Sequence, residues 1–227
     1  MIQTFAASHI GHRRQRQEDA FEVKHLPGGA ILLVLADGMG GHPGGDVAAK
    51  AAVKHVCAYF EERYQEGSPV PQQLLREAVD LAVCQVRLIA QEPKTYGAGT
   101  TLDAVLIQPN GLARLVHCGD ARIYAFWHFG VLHQLTDDHE TPDGRLTHCL
   151  GGYQDAVDVS TMTIRLDPSD LLFLCSDGLF LHLSDNEIRD IIRDHPEDPA
   201  LALVTTTLGR GALDNVTVVG ARYVAGP

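Results

Sequence analysis

Three apolar runs along the chain abut an acidic residue. Ile31–Leu35 leads into Ala36-Asp37-Gly38, Leu171–Cys175 leads into Ser176-Asp177-Gly178, and Val216–Val219 follows Asp214-Asn215. Short, continuously apolar stretches bounded by Gly and Asp predict buried strands. Elsewhere the period lengthens. Leu74, Ala78, Leu81, Ala82, Leu88 and Ile89 recur at helical spacing and predict a helix over 71–91, with Pro71 near its start. A second helix is predicted over 44–64. Residues 100–108, 112–118, 122–127 and 131–134 have the pattern of a strand meander with short turns. Residues 157–166 and 171–175 suggest another strand pair across Asp167-Pro168-Ser169, and 216–224 the final strand. Ser184-Asp185-Asn186-Glu187 is a capping box opening a helix to about Arg193, and Asp198-Pro199 opens another. Strands in the middle with helix pairs near both ends predict an α+β protein, antiparallel sheets with helices outside.

The acidic strand ends carry the chemistry. If 31–35 and 171–175 run one way and 216–219 lies antiparallel between or beside them, three carboxylates meet at one sheet edge. Anionic oxygens gathered in this way repel unless a hard cation holds them, and Mg²⁺ or Mn²⁺ fits that requirement. A lone Asp-Gly is more often a turn, as expected for Asp143-Gly144.

Composition narrows the field. A chain of 227 residues, 45% hydrophobic and 21% charged, is expected to form one domain spanning 1–227 around a substantial core. The net charge of -11 argues against binding nucleic acid or an anionic membrane, which would need a basic face. Five cysteines, Cys57, Cys84, Cys118, Cys149 and Cys175, are widely spaced and form no C-x-x-C, so neither a disulfide framework nor a zinc site is expected. The first residues lack a cationic start and a signal-length apolar core, and no stretch approaches a membrane span. A cytoplasmic, reduced setting is the expectation.

Further motifs surround the aspartates. Gly11-His12-Arg13-Arg14-Gln15-Arg16-Gln17-Glu18-Asp19 is either a solvated charge run or, beside a metal edge, a source of guanidinium forks for phosphate oxygens. Residues 37–45 are glycine-rich, letting backbone carbonyls approach a cation, yet they match neither nucleotide-binding glycine pattern. His42 is either a proton donor to a leaving alkoxide or a structural histidine. Gly119-Asp120-Ala121-Arg122 suggests a hairpin turn with an exposed ion pair.

Taken together and in order, six segments resemble the metal-dependent protein phosphatases, the type 2C serine/threonine family, in their bacterial form. They are Ser8-His9-Ile10-Gly11 with Arg14 and Glu18-Asp19-Ala20-Phe21; Ala36-Asp37-Gly38-Met39-Gly40-Gly41-His42; Gly99-Thr100-Thr101; His117-Cys118-Gly119-Asp120-Ala121-Arg122; Leu174-Cys175-Ser176-Asp177-Gly178-Leu179; and Asp214-Asn215-Val216-Thr217. The resemblance implies a four-layer α/β/β/α sandwich of two antiparallel sheets flanked by helices. It implies two Mn²⁺ or Mg²⁺ ions: Asp37 bridging them, Asp177 and Asp214 completing one, the Gly38 carbonyl contacting the other. Glu18 would act through bound water and Asp19 from one layer behind. Arg14 would hold the substrate phosphate, and Asp120 with Asp177 a third ion. The implied reaction is hydrolysis of phosphoserine or phosphothreonine by metal-activated water without a phosphoenzyme, opposing a bacterial Ser/Thr kinase. The expected partners are phosphorylated proteins and that kinase, and the expected state is a monomer.

The pattern departs from the family in two places. Met39 stands where some relatives carry a histidine, leaving the general-acid role of His42 open. Between Leu135-Thr136-Asp137-Asp138-His139 and Leu146-Thr147-His148-Cys149-Leu150-Gly151, where most bacterial members carry a longer helical flap, this chain has only six residues, 140–145. A flap reduced to a loop is expected. The competing readings are a catalytically silent phosphoprotein-binding relative, whose mark would be a missing metal aspartate, and a small-molecule phosphoesterase.

Overall fold

The computed structural model describes residues 1–40, 44–65, 71–152 and 157–224. The first part of the chain forms β1 (Ile2–His9), β2 (Asp19–His25), β3 (Ile31–Asp37), α1 (Gly45–Arg63) and α2 (Pro71–Gln91). The middle forms β4 (Gly99–Thr100), β5 (Leu102–Ile107), β6 (Leu112–Cys118), β7 (Arg122–Phe126), β8 (Leu132–Gln134) and β9 (Leu150–Gly151). The remainder forms β10 (Ser160–Arg165), β11 (Leu171–Cys175), α3 (Asp177–Phe180), α4 (Asp185–Asp194), α5 (Pro199–Gly209) and β12 (Val216–Tyr223).

One five-stranded sheet has the order β1-β12-β11-β7-β8, the other β10-β6-β5-β3-β2, and β4 pairs with β9 in a small ribbon. All their pairings are antiparallel. Successive residues of β3 explain the layering, because side chains alternate across a strand. Ile31, Leu33 and Leu35 face the other sheet, meeting Ile123, Leu172, Leu174 and Val219. Leu32, Val34 and Ala36 face the opposite way, into a core shared with α1 and α2. The outer face of the β11–β12 sheet packs Phe173, Cys175, Val216 and Val218 against α3, α4 and α5. Strands covered on both faces must be apolar throughout, which is why these runs read so clearly. Each fully buried Leu or Val contributes roughly 1.5–3 kcal/mol.

The predicted helix ends are present: the Glu187 carboxylate accepts from the Ser184 N–H at 2.9 Å, and Asp198 accepts from the Leu201 N–H at 3.1 Å. The face of α2 is rotated from the expected one. Leu75, Val79, Val83 and Val86 join Ala78 and Ala82 in the core, while Leu81 and Leu88 are exposed.

Strand pairing corrects three expectations. Residues 157–166 and 171–175 do not pair: β10 lies on β6 in one sheet and β11 between β7 and β12 in the other. The meander breaks between β6 and β7, where Gly119-Asp120-Ala121 crosses from sheet to sheet instead of closing a hairpin. Consequently Arg122 pairs with Asp138, at 2.6 Å, rather than with Asp120. Finally, Asp37 ends a strand of one sheet while Asp177 and Asp214 flank strands of the other, so the carboxylates meet between two sheets, not along one edge. Residues 135–152 contain no helix. They form a loop with an isolated bridge between Glu140 and Leu146, then β9.

Candidate metal-binding active site

At one end of the sandwich a cleft of about 630 Å³ is lined by Arg14, Asp37, Gly38, Met39, Gly40, Thr101, Asp120, Gly144, Arg145, Leu146, Asp177 and Asp214. Of the residues picked out from the sequence, Arg14, Asp37, Gly38, Asp120, Asp177 and Asp214 line this cleft, whereas Glu18 and Asp19 do not. His42 lies outside the described residues.

Asp37 is fixed through its backbone. Its N–H donates to Thr101 Oγ1 (2.9 Å), and its carbonyl accepts from Thr100 Oγ1 (2.9 Å) and the Thr101 N–H (2.8 Å). The kink between β4 and β5, invisible as a break in the apolar pattern, supplies these contacts. Gly38 then turns the chain away with its N–H on the Glu18 carbonyl, where a Cβ would fall 2.4 Å from the Gly45 carbonyl oxygen. Asp177 opens α3 directly after β11. A Cβ on the next residue, Gly178, would lie 1.9 Å from the Asn215 carbonyl oxygen, so α3 rests on the segment carrying Asp214. Gly178→Ala is therefore expected to cost about 3 kcal/mol in urea denaturation and to abolish activity, because backbone must shift beside both Asp177 and Asp214. Gly144, whose Cβ would meet nothing within 4 Å, serves as the control, costing only about 1 kcal/mol for its left-handed backbone.

Behind the cleft, Asp19 is 5% exposed and sits directly across the β2–β3 ladder from Asp37. Its Oδ2 accepts from Ser176 Oγ (2.8 Å) and Thr217 Oγ1 (2.6 Å), whereas its Oδ1 is buried with no hydrogen-bond partner. Arg14 spans the rim, donating to Asp214 Oδ2 at 2.5 Å and Glu18 Oε2 at 3.3 Å. Its guanidinium packs where a Cβ on Gly40 would stand, 2.6 Å from Nη1. Asn215, named from the sequence only as part of the Asp214-Asn215-Val216-Thr217 segment and given no role, clamps the loop that carries Arg14. Its side-chain nitrogen donates to the Ile10 and Arg16 carbonyls, at 2.8 and 3.0 Å, and its oxygen accepts from the Glu18 N–H at 2.7 Å. The signals available were its place next to Asp214 and within that resembling segment.

The electrostatics are those of a cation site. Burial, then Asp19, Asp177, Asp120 and Asp214, push the Asp37 carboxyl well above the usual carboxylate range. Burial followed by Asp120, Asp214 and Asp19 raises Asp177 to about 7. Burial first, with further acids adding, raises Asp120 to about 6. Asp19 also rises to about 6, burial outweighing its two hydroxyl donors. Carboxylates placed where they cannot all ionise, one with an orphaned oxygen, form an all-oxygen donor set suited to hard divalent ions. Asp37, Asp177 and Asp214 stand wider apart than ligands closing on one point. Among the described residues, only His128, Asp167 and Asp170 bring three ligand atoms within 4.8 Å of one another. That trio needs no ion. Asp170 Oδ1 accepts from the His128 N–H and ring, and Oδ2 from the Asp167 N–H, tying two turns together.

Comparison with known proteins agrees with this geometry. The family model described as Protein phosphatase 2C matches residues 7–209. The protein phosphatase PhpP of Streptococcus pneumoniae is 30% identical over 237 residues, covering 92% of each chain. The S. agalactiae serine/threonine phosphatase superposes with a TM-score of 0.89 at 26% identity, over 99% of this chain and 100% of its own. The catalytic domain of the phosphatase PstP, crystallised in complex with two manganese ions, gives a TM-score of 0.83 at 30% identity over 99% of both chains. With its motifs, its paired sheets and its acidic cleft all in this pattern, the chain belongs to the protein phosphatase 2C family.

Proposed function

We propose that this chain is a single catalytic domain that hydrolyses phosphoserine and phosphothreonine in proteins, opposing a Ser/Thr kinase, as a cytoplasmic monomer. The observation that carries this reading is one cleft holding Asp37, Asp120, Asp177 and Asp214 together with the Arg14 guanidinium. Asp37, the Gly38 carbonyl, Asp177 and Asp214 would hold two divalent ions, with Asp120 and Asp177 offering a third position; manganese, seen with PstP, is the first choice to test. Such ions supply charge neutralisation for the phosphoryl group and lower the pKa of a bound water.

The chain's own residues supply the rest. Arg14, kept protonated by its bond to Asp214, presents a planar fork to the phosphate, and its bonds to Asp214 and Glu18 set its orientation before substrate arrives. Asp19, across the strand ladder from Asp37, would support it from behind, and Glu18 would act through bound water. Among the described cleft residues there is no Cys, His or Ser, and the Thr101 hydroxyl is engaged with the Asp37 N–H. On this reading the attacking group is water and no phosphoenzyme forms, the cleft aspartates, which could otherwise accept a phosphoryl group, being taken up as metal ligands. The role of His42 as proton donor to the leaving alkoxide belongs to the same proposal.

The deciding experiment is phosphate release from a phosphothreonine peptide with Mn²⁺, with EDTA, and with Asp177→Asn. Release is expected only with metal and intact Asp177. Lack of release in excess Mn²⁺ from folded protein would point instead to a silent phosphoprotein binder. Faster turnover of free nucleotides than of peptide would point to a small-molecule phosphoesterase.

A further inference from the structure

The loop that presents Arg14 carries two more guanidinium groups, on Arg13 and Arg16. Both are exposed. Among the described residues neither forms an ion pair, whereas Lys24, Lys50, Arg122, Arg145, Arg193 and Arg210 all do. Other cations also stand outside ion pairs, but these two share the short loop that bears Arg14, on a chain of net charge -11. Their mount is rigid. The His12 N–H donates to the Ala212 carbonyl at 2.8 Å, and Asn215 bonds the Ile10 and Arg16 carbonyls and the Glu18 N–H. Gly11, at φ +79°, lies so close that a Cβ would stand 2.1 Å from the Asp214 carbonyl oxygen. The backbone bearing Arg13 and Arg16 is thus pinned to the segment that carries a cleft carboxylate, one and two residues in sequence from the Arg14 that lines the cleft.

A simpler role would be to offset the carboxylate ring, and Arg16 does act on Glu18 in that sense. Arg14 already fills it by direct contact with both Glu18 and Asp214. Fixed cations at the mouth of a site act chiefly on partners carrying opposite charge, through steering and choice among substrates. Resting on the phosphatase reading above, we propose that Arg13 and Arg16 form a selecting rim that favours phosphoserine or phosphothreonine flanked by acidic residues.

The test uses the manganese-loaded protein and three phosphothreonine peptides identical except for acidic, alanine or lysine flanks. At low ionic strength kcat/KM is expected to be about tenfold higher for the acidic peptide than for the lysine peptide, the difference residing in KM and shrinking steeply toward about 0.5 M salt. Arg13→Glu combined with Arg16→Glu should reverse the order, and Arg13→Lys with Arg16→Lys should preserve it. Phosphate released from all three peptides with equal kcat/KM overturns the rim and leaves the phosphatase intact. No release from any peptide overturns the phosphatase reading. Fluorescence anisotropy with the same labelled peptides, which needs no turnover, then decides the rim: tighter, salt-sensitive binding of the acidic peptide supports it, and equal binding overturns it.

Discussion

Asp37→Asn is expected to lower manganese-dependent phosphate release by about a thousandfold or more while raising the melting temperature of the metal-free protein. The first effect follows from the position of Asp37, facing Asp177, Asp120 and Asp214 across the cleft. On the proposed function Asp37 would contact both ions, so removing its charge would loosen them, and several kcal/mol of transition-state stabilisation is about three orders of magnitude in rate. The second follows from like charge: without a cation, the Asp37 carboxyl is held in a ring of acids that drives its protonation. Asparagine keeps the shape and removes the repulsion. Thr100 and Thr101 grip the Asp37 backbone, not its carboxylate, so the loop has no cause to move. Calorimetry in EDTA alongside a phosphate-release assay checks both halves. A metal-free variant that melts lower than the parent would mean that Asp37 is mainly a structural acceptor.

The stability of the metal-free protein should also fall as pH rises from about 5 to 8. Asp177 at about 7, and Asp19 and Asp120 at about 6, all sit above the unfolded-chain value near 3.9. A carboxyl whose folded pKa is raised binds more protons in the folded state. Its stabilising contribution is complete below the unfolded pKa and is lost as pH climbs through the folded one. Manganese replaces the lost protons, so the rise in melting temperature on adding Mn²⁺ should be larger at pH 8 than at pH 5.5. In Asp177→Asn the pH dependence should flatten. A metal-free melting temperature indifferent to pH over this range, with equal manganese shifts at both ends, would show that the ring is not electrostatically frustrated.

Much of this architecture was legible because burial on two faces leaves a strong sequence mark. Ile31–Leu35 and Leu171–Cys175 could hardly be anything other than central strands, and the acids at their ends marked the cleft. The edge strands β1 and β2 went unread for the converse reason: with one side exposed, Ile2–His9 and Asp19–His25 mix Thr, Gln, Glu and Lys among their apolar residues. Which sheet a strand joins was equally hidden. Asp167-Pro168-Ser169 has the composition of a hairpin turn, yet it carries the chain from one sheet to the other, with Asp170 buried to brace it. Local composition does not encode that difference. The supports of the site, Thr100, Thr101 and Asn215, act through backbone contacts to residues far away in sequence, so no spacing rule could expose them.

β12 lies in the middle of its sheet, between β1 and β11, although it is formed by the last strand of the sequence. During synthesis the first two hundred residues can emerge with Arg14, Asp37 and Asp177 already made but with no Asp214 and no Asn215 to pin the Arg14 loop. Ser176 and Asp19 would also lack the hydroxyl of Thr217. A chain cut before β12 would therefore lack one of the cleft's carboxylates and the clamp on the Arg14 loop, and loss of phosphate release is the expected result.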